Sequence, residues 1–340
     1  MTGTSASRTV APVVRLAPAK VNLTLSVGSR RADGFHELHS VMVPLALADR
    51  LALAPAHGGE DSLHVTGDDA PPRPDDLVLR GIGAARTAAR RALGRAADLF
   101  PLAARLEKRI PLAAGLAGGS SDAAAAIDAA LAAWGVELAP ADRVAAASEV
   151  GSDVPFFLAG GPALVEGRGE RITALRAPIG PPIGVLLVTP ALGVSTAETY
   201  ARFDAGGDAA PGDPRSTRLT SEHLAQELRA GLRAADLLAR AGVLATANDL
   251  ANATAQLVPA LRTLRRALTR RLGRPVGQTG SGPTLWALYP SAAAAEAAAR
   301  DVATALADGT LEAPGERQPR ISATTIPAPP AEPNDPRREP

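Results

Sequence analysis

Residues 20 to 27 alternate strictly. Val21, Leu23, Leu25 and Val27 fall on one side, and Lys20, Asn22, Thr24 and Ser26 on the other, the period of a strand with one buried face. The apolar set predicts core. The polar set predicts a solvated face at Thr24 and Ser26, with Lys20 at the mouth of the strand. Further strand is predicted over Val41 to Leu53, interrupted at Pro44 and turned at Asp49–Arg50, and a short one over Ser62 to Val65. Asp75–Asp76 caps a helix from Leu77 to about Leu93. A strand from Leu102 to Ile110 follows, then an alanine-rich helix over Ala123 to Trp134 and a helix from Asp142 to about Gly151. Pro162 to Glu166 and Arg171 to Leu175 read as paired strands joined by Gly167-Arg168-Gly169. Beyond a Pro- and Gly-rich boundary at Ala177 to Pro182 come a buried strand (Ile183 to Thr189), a loop over 204 to 218, and helices near 220–240 and 255–271. The strand Thr284 to Leu288, the helix Ala292 to Leu306 and a last strand, Ile321 to Ile326, complete the pattern. Residues 1 to 10 and the tail 327–340, where six of fourteen residues are proline, lack apolar periodicity and read as disordered.

Composition narrows the function. Of 340 residues 46% are hydrophobic, but aromatics are only 3%, so the core must rest on Leu, Val and Ala and each aromatic needs a reason. The net charge of +1 predicts no broad footprint for nucleic acid or an anionic membrane. The absence of cysteine excludes disulfides and thiolate metal sites. No signal-like N-terminus and no run of ~20 apolar residues is present, so a cytoplasmic protein is expected.

The candidate chemistry gathers on Pro111-Leu112-Ala113-Ala114-Gly115-Leu116-Ala117-Gly118-Gly119-Ser120-Ser121-Asp122, which runs into the alanine helix. Three glycines allow a tight curl with exposed N–H groups, and Ser120, Ser121 and Asp122 are helix-starting types. A helix N-terminus of this kind is an anion site, suited to phosphate. No lysine follows the last glycine, so this is not a Walker A loop, and the spacing differs from the dinucleotide fingerprint. Two more stretches stand out. Arg30 to His39 places Phe35–His36 just beyond an Asp33–Gly34 turn. Its two histidines have no clear third ligand nearby, so the pair suits a heterocycle better than a metal. Gly151-Ser152-Asp153-Val154-Pro155-Phe156-Phe157 pins an acid against an apolar run. A carboxylate held there needs a partner, and Lys20 is the candidate. Gly277 to Pro283 is a second glycine loop.

Together these residues resemble the GHMP family of small-molecule kinases. The Pro111–Asp122 loop is similar to that family's phosphate-wrapping motif, and Gly280-Ser281-Gly282 to its C-terminal glycine motif. Ala17 to Leu23, Arg31 to His36 and Gly151 to Pro155 are similar to the branch that phosphorylates the 2-hydroxyl of 4-diphosphocytidyl-2-C-methyl-D-erythritol, on the non-mevalonate route to isoprenoids. The resemblance, spanning about residues 15 to 306, implies an α+β fold of two domains. An N-terminal ribosomal-protein-S5-domain-2-like domain (11–176) would bind ATP, a C-terminal ferredoxin-like domain would cover 183–326, and the active site would lie in the cleft between them. It implies ATP and Mg²⁺ as cofactors and a monomer or weak homodimer with no nucleic-acid or membrane partner. Asp153 would take the hydroxyl proton, with Lys20 holding it ionised. Pro111, Ala113, Gly115, Leu116, Ala117, Gly118, Gly119, Ser120 and Ser121 would hold ATP, Ser121 reaching Mg²⁺ through the phosphates. Asp76 stands where relatives often carry an Asn that approaches adenine. Asn22, Phe35, His36, Tyr200, Gly280 and Ser281 would hold substrate, with Tyr200 closing the far side of the cytosine. A mevalonate- or homoserine-type kinase, or a catalytically silent ligand sensor on the same fold, is the alternative.

Overall fold

The computed structural model describes residues 11–67, 77–94, 97, 99–206 and 214–328. The expectations for residues 1 to 10, for the Asp75–Asp76 cap and for most of the tail, 329–340, lie outside these. In chain order the elements are β1 (Val13–Asn22), β2 (Ser26–Arg30), β3 (His36–Pro55), β4 (Ser62–Thr66), α1 (Leu77–Leu93), β5 (Leu102–Glu107), α2 (Gly118–Trp134), α3 (Pro140–Val150), α4 (Val154–Phe157), β6 (Ala163–Gly167) and β7 (Arg171–Ala174). They continue as β8 (Ile183–Thr189), α5 (Thr196–Ala205), α6 (Pro214–Ala230), α7 (Ala234–Ala239), α8 (Ala241–Leu244), α9 (Leu250–Leu257), α10 (Pro259–Leu272), β9 (Gly277–Gln278), β10 (Leu285–Tyr289), α11 (Ala292–Ala307) and β11 (Arg320–Ile326). The chain packs as two interleaved units. One comprises Met1–Ala19, Leu47–Leu112 and Ala117–Gly160, and the other Lys20–Ala46, Ala113–Leu116 and Gly161–Pro340.

In the first unit β5 lies between β4, parallel to it, and the far end of β3, antiparallel, with Arg50–Pro55 opposite Leu102–Glu107. Alanine makes the helical layer close. A Cβ on Gly81 of α1 would stand 2.7 Å from the Ala123 carbonyl of α2, so the two helices touch backbone to backbone there. Ile82, Ala85 and Ala89 of α1 and Ala123, Ala126, Ile127 and Ala130 of α2 are fully buried against Leu51, Leu53 and Leu102. Ile82→Ala in such a core would cost about 2–5 kcal/mol.

In the second unit the near end of β3 pairs antiparallel with β2 and with β6, and β6 with β7. A separate antiparallel sheet runs in the order β11-β8-β10-β9. Leu261, Leu264 and Leu268 of α10 and Ala295, Val302 and Ala305 of α11 form one core with Leu186, Val188, Leu285 and Ala287 of that sheet. Leu, Val and Ala carry both cores, as the composition requires.

Several expectations need correction. β3 is one strand of 20 residues, unbroken at Pro44 and not turned at Asp49–Arg50. Pro44 falls between the stretch paired with β6 and the stretch paired with β5, and the Asp49 side chain is buried, accepting from the Arg109 and Ile110 N–H groups instead of shaping a turn. That same capping ends β5 at Glu107 rather than Ile110. β1 begins at Val13, passes through Pro18 and stops at Asn22, because the chain then diverts to bond Leu25 to Ala247 and Asp249. The helix expected near 220–240 is broken at Gly231, whose φ of 94° no helix continues. The one expected near 255–271 is two helices, with Pro259 opening the second.

The polar face of residues 20 to 26 is not solvated. Lys20, Asn22, Thr24 and Ser26 are all buried, at 6% exposure or less. Thr24 Oγ1 donates to Ser221 Oγ of α6 at 2.8 Å and accepts from the Val41 N–H. Ser221 Oγ lies 2.8 Å from His39 Nδ1, and Glu166 lies 3.9 Å from its Nε2. Burial holds the His39 imidazole below the ordinary histidine range; Arg218 adds to this and Glu166 opposes it. An unfolded histidine titrates near pH 6.5. With a lower folded pKa, the contribution of His39 to stability is present above about pH 6.5 and is lost as pH falls toward the folded value. Urea unfolding at about pH 7.5 and about pH 5.5 should therefore show a larger acid loss for the native protein than for His39→Gln. Equal losses would mean that His39 takes up its proton alike in the folded and unfolded states.

Candidate active site

The glycine stretch reaches α2 through residues forced into left-handed backbone. Ala113 and Ala117 have φ of 49° and 55°, and Gly115 has 73°. A non-glycine residue pays about 1–2 kcal/mol for this conformation, so the loop is held from outside itself. Lys20 N–H donates to the Leu116 carbonyl at 3.1 Å, which ties the stretch to β1. A Cβ on Gly115 would stand 2.8 Å from the Thr279 carbonyl and 2.9 Å from that of Gly282, so the two glycine loops meet backbone to backbone.

Helix α2 starts at Gly118, two residues before the serines that were expected to cap it. Ala117 holds the cap position and no side chain caps the helix. The N–H groups of the first turn are left for an anion. Ser120 is half-buried, whereas Ser121 and Asp122 turn inward and are 1% and 0% exposed. Ser121 Oγ and Asp122 Oδ1 have no hydrogen-bond partner among the described residues.

Asp122 is held instead by a lysine that sequence reasoning missed. Lys108 Nζ lies 2.6 Å from both Asp122 Oδ2 and Asp49 Oδ2, and all three side chains are buried. A Cβ on Gly118 would come within 3.3 Å of the same Nζ. One cation thus sits under the first turn of α2 between two carboxylates. Burial pushes the Asp122 carboxyl up to about 7; Lys108 opposes the shift and the Asp49 charge adds to it. Burial also works against the Lys108 charge, but Asp122 and Asp49 outweigh it and hold the ammonium above the ordinary lysine range. The only sequence signal was Glu107-Lys108-Arg109-Ile110, a charge run at the end of a strand.

In the second unit Lys20 Nζ donates to Asn22 Oδ1 at 2.8 Å, and Asn22 Nδ2 donates to Ser40 Oγ at 2.8 Å. The Asn22 N–H donates to Thr279 Oγ1, whose hydroxyl lies within reach of both Asn22 Oδ1 at 3.2 Å and the Gly115 carbonyl at 3.3 Å. Gly280, at φ 55°, would bring a Cβ to 3.6 Å from both Lys20 Nζ and Asn22 Oδ1. Lys20, Asn22, Gly115 and Gly280 are thus gathered in one place, with Ser40 and Thr279 added. Lys20 is a buried group and not an ordinary surface lysine.

The aromatic residues divide. His36 is buried; its Nδ1 donates to the Gly28 carbonyl at 3.1 Å, and Asp204 Oδ1 lies 3.2 Å from Nε2. Its ring stacks on Tyr200 of α5 with centroids 5.2 Å apart and meets Phe203 edge-on. Phe35 stands apart, 48% exposed, with the Arg168 guanidinium 5.5 Å from its ring. Ser281 Oγ lies 3.1 Å from Thr196 Oγ1, linking the second glycine loop to the start of α5. Asp153 is half-buried at the head of α4, before the buried Val154, Pro155 and Phe156, and belongs to the first unit. Asp76 lies outside the described residues.

Two family models match the chain: the GHMP kinases N terminal domain over residues 77–161 and the GHMP kinases C terminal over residues 224–308. The chain belongs to the GHMP kinase family. Among curated GHMP kinases it is 40% identical to a 4-diphosphocytidyl-2-C-methyl-D-erythritol kinase of Pelotomaculum thermopropionicum, over 81% of this chain and 88% of that protein. It is 39% identical to the protein of that name in Deinococcus radiodurans, over 86% and 90%. A crystal structure of 4-(cytidine 5'-diphospho)-2C-methyl-D-erythritol kinase aligns with a TM-score of 0.64 at 31% identity, covering 92% of this chain and 99% of that one. Membership in a GHMP kinase family makes ATP the phosphoryl donor. The uncapped first turn of α2, the glycine backbone before it and the partnerless Ser121 hydroxyl fit a phosphate chain. Among the described residues no helix is long and apolar enough to cross a membrane.

Removing the buried cation should be severe. Lys108→Met leaves two carboxylates facing one another and is expected to cost about 3–5 kcal/mol, read as a lowered urea midpoint. Asp122→Asn, which substitutes a neutral group for a carboxyl that is already partly protonated near pH 7, should cost far less. A Lys108→Met protein as stable as the native one would remove the cluster from this role.

Proposed function

We propose that the chain is an ATP-dependent kinase that phosphorylates the 2-hydroxyl of 4-diphosphocytidyl-2-C-methyl-D-erythritol, giving the 2-phosphate and ADP for isoprenoid precursor synthesis. Identity of about 40% to kinases of that name along nearly their whole length carries this reading. The two domain matches fall on either side of Ala177 to Pro182, which supports a functional division into 11–176 and 183–326.

Asp153 takes the proton of the substrate hydroxyl as that oxygen bonds to the γ-phosphorus; the bond to the bridging oxygen breaks and ADP leaves. Lys20 supplies a buried cation that favours charge building on the transferred group. The Lys20–Asn22 hydrogen bond, with Thr279 behind it, fixes the ammonium in place. The first turn of α2 orients the phosphates through its N–H groups, and Ser121 Oγ would be a ligand of their Mg²⁺. That ion, when bound, neutralises phosphate charge; positioning and electrostatics supply the rest of such a transfer. Phe35 stacks on the cytosine, His36 reads its edge and Tyr200 closes the other side. The His36–Tyr200 stack and the exposed Phe35 ring support this assignment.

An ADP-release assay with the cytidine substrate, mevalonate and homoserine in parallel tests the reading. Turnover of mevalonate or homoserine at the same efficiency would make the chain another GHMP small-molecule kinase, and no turnover at all would favour a silent sensor. In the same assay Asp153→Asn should lower kcat by about 10²–10⁴-fold while ATP affinity and melting temperature stay unchanged; a near-native rate would remove Asp153 as the base. Phe35→Ala should raise KM for the cytidine substrate by roughly 5- to 150-fold, equivalent to about 1–3 kcal/mol of stacking, and leave KM for ATP unaltered. The opposite pattern would place Phe35 at the nucleotide donor.

A further inference from the structure

Behind the second glycine loop lies a cavity of about 240 Å³. Its polar lining is Thr246, Asn248, Asn252, Arg262, Arg265 and Gln278, with two cations and no carboxylate. Arg262 and Arg265 are three residues apart on α10, hence neighbours on its surface. Arg265 is only half-exposed, and its hydrogen bonds go to backbone alone: Nε to the Val276 carbonyl at 2.7 Å and Nη2 to that of Ala245. Among the described residues no ion pair neutralises it. Burial pulls its pKa below the ordinary arginine value with no counter-charge against it. Arg262, in contrast, is exposed and donates to Asn252 Oδ1 at 3.1 Å. A partly desolvated guanidinium without a carboxylate is a cost that a bound anion removes.

We propose that this cavity is a second anion site, separate from the α2 loop, and that it takes a small phosphoryl anion such as pyrophosphate or the phosphate end of a small metabolite. The lining suits that class, with two arginines and no carboxylate. Arg262 offers its guanidinium to phosphoryl oxygens, Arg265 adds the donors not spent on the Val276 and Ala245 carbonyls, and arginine keeps its charge at any working pH. The amides of Asn248 and Gln278 connect the cavity to the loop. Asn248 Nδ2 donates to the Gln278 and Gly280 carbonyls at 3.0 and 2.9 Å, and Gln278 Nε2 donates to Thr254 Oγ1 at 3.1 Å. An anion there would bear on the backbone of Gly280, which lies against Lys20 and Asn22.

The test is a titration of the full chain with inorganic pyrophosphate by calorimetry, the α2 loop being first saturated with a non-hydrolysable ATP analogue. We expect saturable one-to-one binding that weakens about tenfold or more in Arg262→Gln, in keeping with the loss of a charge-assisted hydrogen bond, and also in Asn252→Asp, which brings a carboxylate to the rim. Arg262 and Asn252 are not in the protein interior, so both variants should fold; matching melting temperatures check this. Arg270→Gln, an exposed arginine on the same helix but not in the cavity lining, should bind as the native chain does. Absence of saturable binding, equal affinity in Arg262→Gln, or an equal loss in Arg270→Gln would each overturn the proposal. Because the readout is binding and not turnover, it stands or falls independently of the kinase reading.

Discussion

A single buried ammonium holds the first unit's functional end together. Lys108 follows β5 directly, Asp49 sits within β3, and Asp122 lies just past the first turn of α2. Three elements from three parts of the chain therefore share one charge. Remove the cation and two carboxylates remain in a place without water to receive them. The arrangement also explains local features that otherwise look unrelated. β3 does not turn at Asp49 because that side chain has inward work, caging the Arg109 and Ile110 N–H groups. β5 stops short for the same reason. Asp122 lies inside α2 and points down to Lys108, and the cap position falls to Ala117, which leaves the first-turn N–H groups without a side-chain cap.

In the second unit the organising group is an amide where in the first it is a cation. Asn22 is its hub: one side chain and its own N–H connect Lys20, Ser40 and Thr279. Thr279 in turn reaches the Gly115 carbonyl, so the two glycine loops are locked by backbone contact and one hydroxyl. A lysine fixed in this way offers a charge of defined position. That is the requirement for catalysis by positioning, in which a displacement of about 1 Å costs roughly 10²-fold.

Much of this was legible in the sequence, and the illegible part has a common cause. Local signals were reliable where the nearest neighbours in the chain decide the outcome. The α1 helix and the strands β4, β6 and β11 are of this kind. The motif residues Lys20, Asn22, Gly115 and Gly280 were also visible, as members of a family pattern. What failed depends on partners far along the chain. Thr24 and Ser26 alternate like a solvated face, and only α6, nearly 200 residues later, covers Thr24 through Ser221. Asp49 looked like a turn residue because Lys108 is 59 positions away. Periodicity states which side of a strand a residue takes; it does not state what arrives to cover that side.

The chain's course has a consequence for how this protein can be cut. It passes from one compact unit to the other at Ala19, Ala46, Leu112, Leu116 and Gly160. β1 and β3 each begin in one unit and end in the other. No single scission therefore separates the two. A fragment ending at Gly160 would hold the whole first unit but also carry two pieces of the second, torn from their partners. The two units of such a molecule cannot be shuffled as modules by simple fusion; recombination must exchange the interleaved segments together.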